Sequence, residues 1–135
     1  MAPLTTGRNT PARSAERRNF PLEAAAVIYA GAMVALNASG NLVPASTSTT
    51  LTVVGRAEAD AFNSAGAAGD LRCEVNTGAF HYANSAAADA IALSDVGANC
   101  YAVNDQTVAK TDGTGTRSVA GKIFDVDAQG VWVQF

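Results

Sequence analysis

Residues 51–61 read LTVVGRAEADA, a stretch in which small or apolar residues alternate with polar ones. Such an alternation with a period of two is typical of a β-strand that buries one face. Val54 is the one exception to the alternation. The stretch therefore predicts a half-buried strand whose inward face, beyond Val53, is made of small residues: Gly55, Ala57, Ala59 and Ala61.

Similar short runs rich in valine lie on both sides of this strand and are separated by Gly, Asn, Asp and Ser. Their spacing predicts about eight short strands, and hence a mainly β fold built as a small antiparallel β-sandwich or barrel. Residues 127–130 (DAQG) predict a hairpin turn. In the alanine-rich residues 84–98, Ile91 and Leu93 favour another strand over a short helical turn.

The first twenty residues differ from the rest in composition and charge. They are rich in Pro, Thr, Arg and Asn and show no apolar periodicity, which predicts an extended N-terminal arm over residues 1–20 and a single β-rich domain over residues 21–135. Residues 1–18 contain four arginines and Glu16, a net charge of +3, whereas residues 19–135 carry −6.

A basic segment on an acidic body fits a nucleic-acid tail, a targeting peptide or a docking arm. The acidic body argues against a nucleic-acid partner, because phosphate binding requires clustered Lys and Arg. Residues 17–20 (RRNF) resemble a twin-arginine start, but Pro21 and Glu23 interrupt the junction, and the apolar run at 24–36 is too short for a membrane span. We therefore favour a docking arm, with no membrane association.

The composition predicts a thin hydrophobic core. Of the 135 residues 48 % are hydrophobic, but 29 of these are alanines, so large apolar side chains are few. This suggests that the chain gains part of its stability from neighbouring subunits.

The chain has two cysteines, Cys73 and Cys100, which are too few for a disulfide framework. We expect both to be small buried residues, with a single disulfide between them as the less favoured alternative.

Motifs for chemistry are weak. His81 is the single histidine and is expected to be an ordinary strand residue, while residues 125–130 depart from a calcium loop and residues 111–116 lack the lysine of a phosphate-binding loop. We therefore expect no enzyme activity, no metal and no cofactor.

Trp132 lies between Val131 and Val133, so its side chain points to the opposite face of the predicted strand from theirs. It is therefore either in the core or exposed as an interface anchor, and we favour the anchor.

Several stretches together form a recognisable pattern: GAMVAL (31–36), GNLVPA (40–45), VVGRA (53–57), AGDLRCEV (68–75), GAF (78–80), DQTVAKT (105–111), AGKI (120–123), DVD (125–127) and GVWV (130–133). This pattern resembles the head decoration, or capsid cement, proteins of tailed bacteriophages. The resemblance covers residues 24–135 and is most specific after residue 105. No catalytic motif accompanies that family.

The resemblance implies a structural virion protein that sits on the capsid exterior, after assembly in the host cytoplasm, as trimers or sometimes dimers. Its partners would be the major capsid protein, whose subunits it bridges to stabilise the head, and further copies of itself. We expect the docking arm to act through Arg8, Arg13, Arg17, Arg18 and Phe20, and Trp132 to act as an interface anchor. Two alternatives remain: another phage structural module (tail, fibre or head–tail joining), or an exported bacterial adhesin or binding domain.

Overall fold

The computed structural model describes residues 2–135 and confirms a mainly β fold, with 41 % strand and 4 % helix. Its twelve strands are more numerous and shorter than the sequence predicts, and two single 3-10 turns, Ala87–Asp89 and Leu93–Asp95, account for the helix. None of the helices in this part of the chain could cross a membrane. The strands are β1 (Arg17–Pro21), β2 (Val27–Ile28), β3 (Met33–Leu36), β4 (Leu42–Pro44), β5 (Thr52–Ala57), β6 (Ala61–Phe62), β7 (Arg72–Asn76), β8 (Ala79–Asn84), β9 (Asn99–Ala102), β10 (Thr107–Ala109), β11 (Val119–Asp127) and β12 (Gly130–Gln134).

The N-terminal half forms an antiparallel five-stranded sheet in the order β1-β7-β5-β3-β4, beside a two-stranded ribbon of β2 and β6. The predicted strand at 51–61 is β5, followed by a turn and then β6. The β3–β5 register shifts so that Val34 faces Gly55 and Ala35 faces Val53, which leaves Val54 as the extra residue of a β-bulge. This bulge is the physical reason why Val54 breaks the alternation in the sequence.

The C-terminal half closes into a five-stranded barrel in the order β10-β8-β12-β11-β9. Every pairing is antiparallel except that of β10 with β8. The predicted turn at 127–130 joins β11 to β12, where Asp127 pairs with Gly130. Because the barrel closes, each of its strands pairs on both sides, although β8 and β10 pair only at Ala83 and Asn84.

Two small hydrophobic cores lie on either side of the five-stranded sheet. Met33 and Val53 pack with the barrel core, while their chain neighbours Val34 and Val54 pack into the core on the opposite side. Successive strand residues point to opposite faces, so β3 and β5 serve both cores. Alanines fill many of the inward positions, including Ala35, Ala57, Ala102 and Ala109.

Both cysteines are buried free thiols, as predicted, and each lies in a different core. Burial raises the pKa of the Cys100 thiol to about 11, and it also raises the pKa of Cys73. A thiol with a raised pKa carries little of the reactive thiolate at neutral pH. These cysteines therefore act as small apolar core residues.

The strand favoured within residues 84–98 is wrong, since the structure has the two 3-10 turns there. Ile91 is buried, but Leu93 is 65 % exposed, so the two do not share an inward strand face. The Asn84 side chain accepts a hydrogen bond from the Ile91 N–H and donates one to the Ile91 carbonyl, both 2.8 Å. The amide thereby satisfies backbone groups that a neighbouring strand would otherwise pair.

The predicted arm differs from the structure in its last residues, because Arg17–Pro21 forms β1 and pairs antiparallel with β7. Residues 2–16 precede the first strand, and Met1, which the prediction includes, lies outside the described residues. Pro21 has no N–H, and the guanidinium of Arg72 donates to the Asn19 carbonyl at 2.8 Å. Both features reduce the capacity of this sheet edge to accept a further strand.

Candidate interaction surfaces

The four N-terminal arginines divide into two pairs. Arg17 and Arg18 lie on β1 and already contact the body: Arg17 forms an ion pair with Glu74 at 3.2 Å, and Arg18 donates to the Val54 carbonyl at 2.9 Å. The Arg17–Glu74 pair is solvent-exposed, so its contribution to stability is small. These two arginines therefore help to fix β1 against the sheet.

Phe20 also helps to hold β1 against the sheet. Its side chain is partly buried against the sheet core, and the Arg18 guanidinium lies 5.2 Å from its ring centroid. The ring contributes apolar burial and a cation–π contact inside the fold. A docking role for Phe20 stays a prediction.

Arg8 and Arg13 lie in the exposed segment before β1, and neither side chain has a hydrogen-bond acceptor among residues 2–135. Arg13 and Arg18 line the same cleft, of about 520 Å³, between the N-terminal segment and the end of the barrel. Ser14, Ala15, Thr77 and Phe135 complete its walls. This cleft therefore brings together two of the five residues predicted for docking, Arg13 and Arg18, in a setting suited to a carboxylate.

Trp132 lies on the outer surface of the barrel and is 38 % exposed, which excludes the core alternative. Its ring centroid is 5.0 Å from that of His81 on the neighbouring strand, and its indole N–H donates to Asp127 Oδ2 at 3.1 Å. Phe124 is 58 % exposed at a bulge in β11, next to Asp125, which pairs with Trp132. The sequence analysis did not single out Phe124 as an exposed residue. In a regular strand, neighbouring residues point to opposite faces, so Phe124 and Asp125 would not both be exposed; the bulge allows it.

Asp127 is the centre of a hydrogen-bond network on this surface. His81 Nε2 lies 3.1 Å from Asp127 Oδ1, which also accepts the backbone N–H groups of Gln129 and Gly130. The His81 contact, followed by the Gln129 N–H, lowers the pKa of the Asp127 carboxyl to about 2. The turn was predicted from sequence, but the His81 contact links residues 46 positions apart and has no local signal.

We expect Asp127→Asn to flatten the acid dependence of stability. The folded pKa of about 2 lies below the carboxyl group's ordinary pKa of 3.8, so the ionised carboxylate stabilises the fold above about pH 4, and this contribution is lost as the pH falls towards 2. Urea unfolding at pH 5 and pH 2 should show a smaller loss for Asp127→Asn than for the wild type.

Asp112→Asn serves as the matched control, because it removes a carboxylate from an exposed loop outside the network. An equal loss of stability in wild type and Asp127→Asn would contradict the assigned network.

The side chains of this network supply hydrogen-bond donors and acceptors at the surface of the barrel. Within residues 2–135 no group of three or more His, Cys, Asp and Glu side chains is placed to hold a metal ion. The His81–Asp127 contact orients the imidazole beside Trp132, with the two rings tilted by 59°, so that aromatic and polar groups lie side by side on this surface. Aromatic residues of this kind are enriched at the centres of protein interfaces.

Comparison with known proteins gives no family assignment. No protein-family model, no curated protein and no solved structure matches the chain.

Proposed function

We propose that the chain is a structural virion protein that binds the outer surface of a tailed-phage capsid and stabilises the head by bridging major capsid protein subunits. The observation that best supports this is the basic segment before β1, whose Arg8 and Arg13 have no acceptor among residues 2–135, attached to an acidic β-rich body. Arginines that make no hydrogen bond within the described residues are available to bind carboxylates on a partner surface.

The two exposed surfaces supply two separate contacts. The segment with Arg8 and Arg13 would bind the shell, and the Trp132–Phe124 surface would bind a second copy or a neighbouring capsid subunit. Two thin cores, filled largely with alanine and valine, give the chain little stability to spare, so burial of these surfaces in an assembly would add to it. Many copies related by symmetry then sum modest interfaces into a large effect on the head.

The test adds purified chain to expanded heads that lack it, and separately to tailed particles that lack it, and measures co-sedimentation, followed by cryo-electron microscopy. We expect saturable binding with density distributed over the outer head surface. Decorated heads should also withstand heating better than bare heads. Density at one vertex or along the tail would instead support a tail, fibre or joining module, and absence of binding to heads and tails would contradict a virion role.

A further inference from the structure

A second cleft, of about 400 Å³, lies between the β2–β3 turn and the β9–β10 turn. Its lining residues are Tyr29, Ala30, Gly31, Ala32, Asp105 and Gln106. Neither the proposed capsid binding nor the Trp132 surface uses any of them. A volume of this order matches the size of small-molecule sites.

Backbone hydrogen bonds hold the two walls of this cleft in place. The Met33 N–H donates to the Asp105 carbonyl at 2.8 Å and ties one turn directly to the other. The Ala30 N–H donates to Asp60 Oδ1 at 2.8 Å, and the Gly31 N–H donates to the Ala57 carbonyl at 2.9 Å. The cleft is thus preformed, so a ligand would not have to order it.

An aromatic pair borders the cleft and is exposed to solvent. Tyr29 is 59 % exposed and Phe62 is 50 % exposed, with ring centroids 5.4 Å apart in an edge-to-face arrangement. Tyr29 lines the cleft itself and Phe62 packs against it from outside, so the exposed face of the Tyr29 ring is an apolar surface whose burial by a ligand would be favourable.

Uncommitted polar groups line the same cleft. Within residues 2–135, the Asp105 carboxylate, the Gln106 side-chain amide and the Tyr29 hydroxyl have no hydrogen-bond partner, although the Asp105 carbonyl and both backbone groups of Gln106 are hydrogen-bonded. Asp105 is half-buried, so its carboxylate is partly removed from water. Together the three side chains offer acceptors and donors within one small volume.

This combination argues against two classes of ligand and fits a third. A phosphate or other anion would be repelled by Asp105, because no Lys, Arg or His lines the cleft. A purely apolar segment would leave the Asp105 carboxylate buried without a partner, which is unfavourable. A pyranose ring has an apolar C–H face for Tyr29 and hydroxyl groups that donate to Asp105 and exchange hydrogen bonds with Gln106.

We infer that this cleft is a binding site for a neutral saccharide, an activity separate from capsid binding and independent of it. Tyr29 supplies the stacking surface, Asp105 accepts hydrogen bonds from sugar hydroxyls, and Gln106 both donates and accepts. Carried on a particle surface, such a site would bring the virion into contact with polysaccharide.

The experiment is an amide-resolved NMR titration of the full chain with maltotriose, cellotriose, mannotriose and the trimer of N-acetylglucosamine, each to about 10 mM, which detects weak binding. We expect at least one of them to shift the amide signals of residues 29–32 and 105–106 in a saturable manner. Tyr29→Ala and Asp105→Asn should each weaken that binding by about tenfold. Tyr29→Phe, which keeps the ring, should weaken it less than Tyr29→Ala.

Leu93→Ala is the matched control, since it removes a 65 % exposed apolar side chain that lies outside the cleft and both proposed interaction surfaces, and it should leave the affinity unchanged. Circular dichroism of each variant establishes that it is folded. The inference is overturned if none of the four sugars moves these signals, if Tyr29→Ala binds as tightly as wild type, or if inorganic phosphate shifts them and the sugars do not.

Discussion

Gly55→Ala is expected to destabilise the fold by about 4 kcal/mol, the sum of steric overlap and backbone strain. A Cβ at this position would lie 2.3 Å from the Asn76 carbonyl oxygen and 3.0 Å from Val75 Cγ1. Both neighbours belong to β7, whose pairing with β5 at Arg56 and Ala57 would have to open. Such a loss is a large part of the stability of a domain this size, so the variant should unfold at a much lower urea concentration than the wild type.

Two further glycines separate the contributions of strain and overlap. Gly69 has a φ of +84° with open space around its Cβ position, so Gly69→Ala tests backbone strain alone and should cost about 1 kcal/mol. Gly130 lacks a positive φ, but its Cβ would lie 2.3 Å from the Tyr82 carbonyl oxygen, so Gly130→Ala tests overlap alone.

Urea unfolding should rank the losses as Gly55 greater than Gly130 greater than Gly69. A Gly55→Ala variant no less stable than Gly69→Ala would show that β5 and β7 do not pack as closely as the structure has them.

The sequence predicted the fold class because alternation and turn residues are local signals. The hairpin turn at Asp127 and the alternation around Val53 both depend on residues within a few positions of one another, and both are found. The position of Val54 was visible as an exception, but its cause, a bulge opposite β3, depends on a strand 20 residues away. Local patterns therefore predicted which segments are strands, and the pairing between distant strands was beyond them.

The candidate surfaces were predictable only where exposure follows from strand parity. Trp132 differs in parity from its valine neighbours, and the structure places it on the outer face of the barrel. The arm boundary was missed because RRNFP shows little strand propensity, and β1 is held instead by its pairing with β7 and by the packing of Phe20. The Tyr29 cleft was missed because its two turns lie more than 70 residues apart in sequence.

Deletion of residues 2–14 is expected to reduce binding to expanded heads by about a hundredfold while leaving the body folded. The deletion removes Arg8 and Arg13, and two charge-assisted hydrogen bonds to a partner contribute about 3 kcal/mol together. It retains Ala15 and Glu16, whose carbonyls accept hydrogen bonds from Thr77, and it retains β1. Stability should therefore change by less than about 0.5 kcal/mol, as is usual for exposed residues without fold contacts.

The boundary of this deletion decides whether the result can be interpreted. Removing residues 1–20 would also remove most of β1, expose the edge of β7 and uncover the core beneath Phe20, so lost binding could reflect unfolding. Arg8→Ala with Arg13→Ala in the full chain provides the matched variant, and it should reproduce most of the loss without shortening the chain. Arg17→Ala should have a small effect, because that guanidinium is already paired with Glu74. If the 2–14 deletion decorates heads as well as the full chain, the contact lies on the barrel, and Trp132→Ala then becomes the variant that must lose binding.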